Sequence, residues 1–328
     1  MENVMKNKPI RFLLIIAVFL VILALALRMR HDNLPSRIKI AAGNVSGIYH
    51  AYGAALAEVL KPQLNVPVDV LITGGSVENI RFLRNGRADL AFVQNDSMTY
   101  AYNGTNIFST EGAFKDFSAL AGLYPEVCQI VAREKIEGEE ILSIRDLDGK
   151  RVSIGEQGGG TELNALQILA AYGLSDTEIE VSHLGFDASV EAFRSGTIDA
   201  FFCTAGVPTP AILDLAKLGG VRLLSIGDAH ISALITNYPF YTKHIIPAGV
   251  YPGMEYANYR SVVSTVAVRA ALVASDQLSV STVSAIYRIL FEKKAELAAL
   301  CEKAGDLNRE TAADGLLIPL HRGVTGPQ

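Results

Sequence analysis

The chain has 328 residues, half of them hydrophobic, which is enough apolar material to fill the cores of two domains. Its net charge of −5 and isoelectric point of about 5.7 argue against nucleic acid as a partner, because that function needs a basic face. The three cysteines are irregularly spaced and form neither a disulfide framework nor a metal-ligand pattern. We expect three small buried thiols, with one Cys128–Cys203 bridge as the alternative.

The first predicted element is a hydrophobic segment near the N-terminus. Sixteen uninterrupted apolar residues, 12–27, lie between a basic stretch and the pair Arg28 and Arg30. This pattern predicts a segment that sends the chain to a membrane. Residues 24–26 have the small-x-small spacing of a signal-peptide cleavage site, but they lie inside the apolar run. We therefore expect an uncleaved anchor, with a cleaved signal peptide as the alternative. The body from about residue 37 onward is then periplasmic or otherwise extracytoplasmic.

The next elements predict a parallel sheet. Residues 37–60 read as a strand, a glycine-bearing turn and a helix with Ser46 as N-cap. A second strand and turn follow at 68–75, then a short helix capped by Ser76 and a buried strand at 88–93. The order β-α-β-α-β is typical of a parallel sheet flanked by helices.

A similar unit occurs later in the chain. An extended run at 117–134 and a charged connection lead to residues 150–173, which again read as strand, Gly-rich turn and helix, with Thr161 as N-cap. Residues 178–203 add a strand, a helix and another strand.

Two stretches form an internal repeat, FLRNGRADLAF at 82–92 and AFRSGTIDAFF at 192–202. In this alignment Asp89 corresponds to Asp199, and we expect both to fix the turn before a strand. The internal repeat predicts two similar α/β lobes. A second β-branched run at 260–275 predicts a return crossing, and an amphipathic helical stretch follows at 279–304. Two crossings predict a hinge with a ligand cleft between the lobes.

The sequence offers little support for catalysis. It lacks the Gly-x-Ser-x-Gly elbow, the HExxH zinc motif and the phosphate-binding Gly-x4-Gly-Lys pattern. Its six histidines have no ligand spacing, and nucleophile candidates such as Cys203 have no visible base beside them. We therefore predict a protein that is not an enzyme and needs no metal or cofactor.

Binding features are present instead. Three helix N-termini follow small-residue turns, at Gly43–Gly47, Gly74–Ser76 and Gly158–Thr161. Free N–H groups and the positive end of the helix dipole suit such positions for an anion or carboxylate. The alternative is that the glycines only make tight turns. The run Gln94-Asn95-Asp96 after a strand could bind an ammonium or amide, or could be an ordinary polar exit from the strand.

These residues resemble the TAXI solute receptors of TRAP transporters. The similarity covers residues 37–324 and includes the first turn and helix, the AGVPTPAI stretch at 205–212 and the IPLHRGV stretch near the end. Its most specific part is TGGSVEN followed by the AD-x-x-FVQ strand. The first turn differs from the common family pattern at Asn44 and Val45, which bears on the identity of the ligand.

The resemblance implies a periplasmic binding protein of type II-like fold, with two mostly parallel α/β lobes and a cleft at the hinge. It implies a receptor for a small carboxylate or amino acid, such as glutamate, glutamine or 2-oxoglutarate, which passes the ligand to an ion-gradient-driven TRAP permease. By motif position, the implied ligand-binding residues are Asn44, Ser46, Tyr49, Ser76, Asn79, Gln94, Gly160, Thr161 and Pro208.

The expected division of the chain is an N-terminal anchor and linker (1–36), lobe I (37–122 plus 265–328) and lobe II (123–264). Two other functions stay open at this point. One is a membrane-anchored ligand sensor without a transport role. The other is an enzyme on the same two-lobed scaffold.

Overall fold

The computed structural model describes residues 16–20, 34–256 and 262–325. In chain order its helices are α1 Ile48–Leu64, α2 Ser76–Arg84, α3 Asn95–Asn103, α4 Gly160–Ala171, α5 Phe186–Arg194, α6 Pro210–Ala216, α7 Asp228–Asn237, α8 Val280–Glu292, α9 Lys294–Leu300 and α10 Arg322–Thr325. Its strands are β1 Ile38–Ala41, β2 Val68–Leu71, β3 Leu90–Gln94, β4 Phe117–Arg133, β5 Lys135–Ile136, β6 Glu139–Glu140, β7 Arg151–Ser153, β8 Glu180–Ser182, β9 Ala200–Ala205, β10 Val221–Leu223, β11 Thr242–Pro247, β12 Glu255–Tyr256 and β13 Val262–Ser275.

One mixed sheet runs through the molecule in the order β2-β1-β3-β13-β4-β9-β7-β8. At one end β1 pairs in parallel with β2 and β3, and at the other end β7 pairs in parallel with β8 and β9. The strands β4 and β13 lie between these parallel sets and pair antiparallel with each other. The result is the predicted two-lobed α/β fold, a curled mixed sheet with helices on its faces.

The two long strands connect the lobes. β4 pairs with β13 near its start and with β9 and β10 toward its end. β13 runs the other way, pairing first with β11 and then with β3. The predicted crossings at 117–134 and 260–275 are therefore confirmed over β4 (Phe117–Arg133) and β13 (Val262–Ser275), which belong to both halves of the sheet.

The internal repeat is structural. Helix α2 leads into β3 in the first half, and helix α5 leads into β9 in the same way in the second. The repeated aspartates have the same structural role in both halves. Each accepts a hydrogen bond from a backbone N–H of the adjacent parallel strand. Asp89 accepts from Lys39 at 2.7 Å, and Asp199 accepts from Arg151 at 3.0 Å. The expectation that they fix the turn before a strand is confirmed, since each aspartate lies one residue before its strand and bonds to the neighbouring strand.

Apolar side chains cover both faces of the sheet in each half. In the first half one layer lies under α1 and includes Leu56 and Phe92, while the opposite layer includes Val77 and Phe117. In the second half the corresponding layers include Ile168 and Phe201 respectively. Such two-sided burial explains why β3 and β9 read as continuous apolar runs rather than alternating ones.

The predicted N-caps at Ser46, Ser76 and Thr161 are wrong. Glycines occupy the N-cap positions of α1, α2 and α4, and these three helices have no side-chain cap. The hydroxyls have other partners: Ser46 bonds to the side chain of Asn44 at 3.3 Å, while Ser76 and Thr161 accept hydrogen bonds from the backbone of neighbouring strands. For Ser76 and Thr161, hydrogen bonding to the sheet has thus replaced capping of the helix.

The predicted anchor at 12–27 lies mostly outside the described residues. Among the helices that the structure describes, none is long and apolar enough to cross a membrane.

Candidate ligand-binding site

A cavity in which the centres of water molecules can occupy about 80 Å³ lies between the two halves of the molecule and is partly open to solvent. Its wall is made by loops that follow β1, β2, β7 and β8, by the ends of β3 and β9, and by the middle of β4. The lining residues are Gly43, Asn44, Gly47, Ile48, Tyr49, Gly74, Gly75, Ser76, Gln94, Glu126, Glu156, Gly159, Gly160, Thr161, Gly185, Phe186, Thr204 and Ala205. Parallel strands place their carboxyl ends at one edge, which is where ligands bind in open α/β sheets.

The three helix N-termini singled out in the sequence meet at this cavity. The turns before α1, α2 and α4 all contribute to its wall. The hydroxyl of Ser76 accepts from Gln94 N at 3.0 Å and that of Thr161 accepts from Thr204 N at 3.3 Å. These bonds hold α2 and α4 against the ends of neighbouring strands and leave both helices without a side-chain cap. The positive ends of three helices consequently face one space.

Glycines allow these turns to approach closely. A Cβ added to Gly160 would lie 1.9 Å from Oε1 of Gln94, so the Gln94 amide packs directly on the α4 N-terminus. Gly75 has a φ of 115°, a conformation that side chains rarely adopt, and a Cβ there would lie 4.0 Å from Cα of Gly159. The turns of the two halves are therefore in contact across the cavity.

A buried acid forms the floor of the cavity. Glu126, on β4, is only 5 % exposed, and Tyr49 donates its hydroxyl to Glu126 Oε2 at 2.7 Å. Burial raises the pKa of Glu126 to about 8, partly offset by hydrogen bonds from Tyr49 and Gln94. Gln94 is 3 % exposed, and its Oε1 has no hydrogen-bond partner among the described residues. The floor thus presents a carboxyl group and a free carbonyl oxygen.

A second acid lies where the two halves meet. Glu156, in the turn after β7, accepts a hydrogen bond from Asn44 Nδ2 at 3.4 Å. A Cβ on Gly185 would lie 2.5 Å from Glu156 Oε1, so this carboxylate is also held against the turn before α5. Partial burial raises the pKa of Glu156. The pair of Asn44 and Glu156 joins one half of the molecule to the other at the cavity wall.

A third acid lies buried behind the cavity. Asp96 is fully buried at the start of α3 and accepts from Asn164 Nδ2 at 2.8 Å. Asn164 also donates to the hydroxyl of Tyr241, which donates to Gln167, and Gln167 donates to Tyr100. Burial raises the pKa of Asp96 to about 6. This network ties α3 in the first half to α4 in the second.

The structure brings six of the nine predicted ligand-binding residues to the cavity wall: Asn44, Tyr49, Ser76, Gln94, Gly160 and Thr161. The other three lie elsewhere. Ser46 is exposed and bonds to Asn44. Asn79 is fully buried beneath the wall, where its amide donates to the carbonyls of Ala42 and Phe92. Pro208 is exposed and follows a cis peptide bond after β9, close in sequence to the lining residue Ala205.

The sequence reading missed two charged lining residues, Glu126 and Glu156. A signal for Glu126 exists, because it is the single charged residue in the long apolar run between Phe117 and Ala132. Burying a charged side chain costs free energy, so a lone charged residue in a buried strand indicates a functional role. Glu156 gives no such signal, since it lies in an ordinary polar turn.

The described residues show no metal-binding arrangement. No cluster of three or more His, Cys, Asp or Glu side chains among residues 16–20, 34–256 and 262–325 could hold an ion. Cys128, Cys203 and Cys301 are free and buried, as expected from their spacing. Burial raises the pKa of the Cys203 thiol far above its usual range.

The sequence profile of the NMT1-like family matches residues 40–325. This match spans both halves of the sheet and every residue that lines the cavity.

Three solved structures share the fold at low sequence identity. MatC from Rhodopseudomonas palustris with bound malate has a TM-score of 0.57 and 14 % identity, and the alignment covers 87 % of this chain and 95 % of that one. A protein from Bordetella bronchiseptica RB50 has a TM-score of 0.53 and 17 % identity, with coverages of 90 % and 86 %. PhnD1 from Prochlorococcus marinus in complex with methylphosphonate has a TM-score of 0.51 and 13 % identity, with coverages of 83 % and 91 %.

Proposed function

The chain belongs to the NMT1-like family, and from this premise we propose that it is an extracytoplasmic receptor that binds a small carboxylate in the cavity. The observation that carries the proposal is the meeting of three uncapped helix N-termini at one space between two lobes. Backbone N–H groups and helix dipoles stabilise an anion there without any basic side chain. Malate in MatC and methylphosphonate in PhnD1 are small anions bound on the same fold.

The arrangement of the cavity favours binding over catalysis. The hydroxyls of Ser76 and Thr161 already accept hydrogen bonds from backbone N–H groups. Cys203 is buried outside the lining residues, and the raised pKa keeps its thiol protonated. A covalent mechanism would need an activated nucleophile beside a base, and the described lining residues offer no such pair.

We propose that the ligand contacts come from Asn44, Tyr49, Ser76, Gln94, Gly160 and Thr161, with Glu126 added. In this assignment Asn79 supports the wall by holding β1 and β3 together, and Ser46 orients Asn44. Pro208 shapes the turn after β9. These roles follow from where each side chain lies and which atoms it already bonds.

We further propose that the protein is a TAXI receptor that delivers glutamate, glutamine, 2-oxoglutarate or a similar ligand to a TRAP-type permease driven by an ion gradient. The motif TGGSVEN and the FVQ strand support this, since Gly74, Gly75, Ser76 and Gln94 all line the cavity. Residues 12–27 would anchor the receptor beside its permease. We propose lobe I as 37–122 plus 265–328 and lobe II as 123–264. The apolar layers support this division away from its borders, where Leu123 and Tyr124 pack with the first half and Val266 and Val268 with the second.

A thermal screen of the purified full-length chain in detergent tests the binding proposal. A panel of amino acids, their 2-oxo acids and dicarboxylates is added one at a time, and the unfolding temperature is measured. A ligand at about 100 times its dissociation constant stabilises the folded state by about 2.7 kcal/mol, a shift of several degrees. If no compound in the panel raises the unfolding temperature, the chain is not a receptor for small carboxylates.

Delivery to a permease needs a second measurement. Deletion of the gene should abolish uptake of the compound that gives the largest shift, and restoration of the gene should recover it. Uptake that continues unchanged in the deletion strain would contradict the transport role and favour a sensor.

A further inference from the structure

Three consecutive polar residues, 94–96, lie where β3 passes into α3, and their side chains have different partners. Gln94 lines the cavity. Asn95 is buried and donates to the carbonyl of Phe240 at 3.3 Å. The fully buried Asp96 accepts from Asn164 Nδ2 at 2.8 Å. The sequence left open whether this run binds a ligand or is an ordinary polar exit from the strand. Beyond its first residue, the run bonds the first half of the molecule to the second.

One face of α4 meets the first half along its length. Gly160, Asn164 and Gln167 have the i, i+4, i+7 spacing that places residues on one side of a helix. The first of them lies at the cavity, where it packs on Gln94. The last donates from Nε2 to the hydroxyl of Tyr100, on α3, at 2.9 Å. The helix that presents its N-terminus to the cavity is therefore held by β3 at that end and by α3 further along.

Apolar packing follows the same line. Leu163 of α4 is buried in an apolar layer of the first half, and Tyr100 of α3 packs against a layer of the second half. The ring of Tyr100 also meets the ring of Phe240 edge-on, with 5.5 Å between the ring centroids. These side chains and the two bonds Asp96–Asn164 and Tyr100–Gln167 form what we call the α3–α4 contact. It joins the halves beside the two strands, β4 and β13, that cross between them.

We propose that the α3–α4 contact holds the two halves together and thereby positions the N-terminus of α4 in the cavity. The inference rests on the proposed receptor function and specifies what keeps its cavity in a binding shape. Asp96 and Tyr100 act here as positioning residues, because neither is among the described residues that line the cavity. The α3–α4 contact must break when the halves separate, so its strength sets the fraction of molecules with joined halves.

The two bonds of the α3–α4 contact differ in strength. Among the described residues, Asp96 accepts from the N–H and hydroxyl of Ser97, which belongs to the same half, and from Asn164 of the other half. Separation of the halves removes the Asn164 donor from this carboxylate. Hydrogen bonds to a charged acceptor are stronger than those between neutral groups. The Asp96–Asn164 bond should therefore hold the halves together more strongly than the neutral Tyr100–Gln167 bond.

Pulsed electron paramagnetic resonance on the full-length chain in detergent, without added ligand, tests the inference. Spin labels are attached to Ala54→Cys on α1 and Ala188→Cys on α5, both exposed, whereas the native cysteines are buried. In this background we expect most molecules to show the short distance of joined halves. Tyr100→Phe should lower the ratio of joined to separated halves about two- to tenfold, and Asn164→Ala about tenfold or more.

A matched control distinguishes the α3–α4 contact from the loss of a tyrosine hydroxyl as such. The hydroxyl of Tyr172 accepts from Gly227 N at 2.8 Å, and both residues lie in the second half. Tyr172→Phe should therefore leave the distances unchanged. The best compound of the thermal screen should dissociate from Tyr100→Phe about two- to tenfold faster than from the wild type, with little change in its association rate. Tyr100→Phe keeps the aromatic ring and decides the question if Asn164→Ala does not fold.

Four outcomes overturn the inference. They are separated halves in the labelled parent protein, distances that no interface variant changes, an equal shift in Tyr172→Phe, and an unchanged dissociation rate in Tyr100→Phe. The distances are measured without ligand, so they decide whether the α3–α4 contact holds the halves even if no compound binds. Failure of every compound in the thermal screen overturns the proposed receptor function instead.

Discussion

The repeated aspartates offer a test of the fold that needs no ligand. Asp199→Asn and Asp89→Asn make the same change at corresponding positions of the two lobes, but the partners differ. Asp199 accepts from Arg151 three times, from N at 3.0 Å, Nε at 2.9 Å and Nη2 at 2.6 Å. Asp89 accepts from Lys39 N at 2.7 Å and has no guanidinium partner among the described residues.

The difference in partners sets the expected magnitudes. An asparagine at 199 keeps one acceptor oxygen for Arg151 N but loses the bidentate hydrogen bond from the guanidinium. Hydrogen bonds to charged groups contribute about 1.5–3 kcal/mol. The Arg151 side chain is 42 % exposed, so solvent screening reduces this. We expect Asp199→Asn to lower the free energy of unfolding by about 1–3 kcal/mol, and Asp89→Asn to change it by less than about 1 kcal/mol.

The two changes should also respond to pH in opposite directions. Burial raises the pKa of Asp199, but the bonds from Arg151 outweigh burial and hold the pKa below its usual value. Its stabilisation is therefore present above about pH 4 and is lost as the pH falls through the lowered pKa. Burial raises the pKa of Asp89, so its charge opposes folding above that pKa and the cost disappears in acid.

Urea unfolding followed by circular dichroism, at about pH 7 and about pH 3, measures both effects. The gap between wild type and Asp199→Asn should shrink on acidification. Over the same range Asp89→Asn should lose stability relative to wild type. Equal effects of the two variants at neutral pH, or a growing gap for Asp199→Asn in acid, would refute the roles assigned to these residues.

Two further substitutions test the cavity wall. Gly160→Ala places a methyl group 1.9 Å from Gln94 Oε1, so we expect the flexible amide to turn into the cavity. Stability should change by less than about 1 kcal/mol, while the thermal shift from the best compound of the screen disappears. Gly305→Ala, whose Cβ would meet Ala298 at an ordinary 3.7 Å, is the matched control, and an unchanged shift in Gly160→Ala would contradict the site. Asn79→Ala removes two donors to buried carbonyls and should cost about 2–4 kcal/mol in urea unfolding. The exposed Asn103→Ala should cost less than about 0.5 kcal/mol, and a similar cost for both would exclude the supporting role of Asn79.

Much of the architecture could be predicted because it depends on local patterns. Apolar runs of strand length, helical periodicity and glycine turns identified the units at 37–93 and 150–203. The internal repeat predicted their similarity, since equivalent elements need equivalent residues at equivalent spacing. The two long crossings were visible for the same reason, as β-branched stretches without helical period.

The roles of individual polar side chains could not be predicted as well. Ser76 and Thr161 had the sequence signature of N-caps, yet both bond to strand backbones because tertiary packing brings β3 and β9 within reach of their hydroxyls. Asn79 belongs to the same motif as Ser76, but its position on α2 directs its side chain into the core. Motif membership fixes proximity along the chain, and helix orientation decides which members reach the cavity.

The sequence by itself determined the two similar α/β units, the strands that cross between them and the three helix N-termini with small-residue turns. Only the tertiary structure decided that these N-termini meet at one cavity, and that Glu126 and Glu156 face it without a basic neighbour among the described lining residues. The reason is physical. Local periodicity reports which side chains are buried, whereas the charge balance of a site depends on groups that folding brings together from distant parts of the chain, as it does Asn44, Glu126 and Glu156.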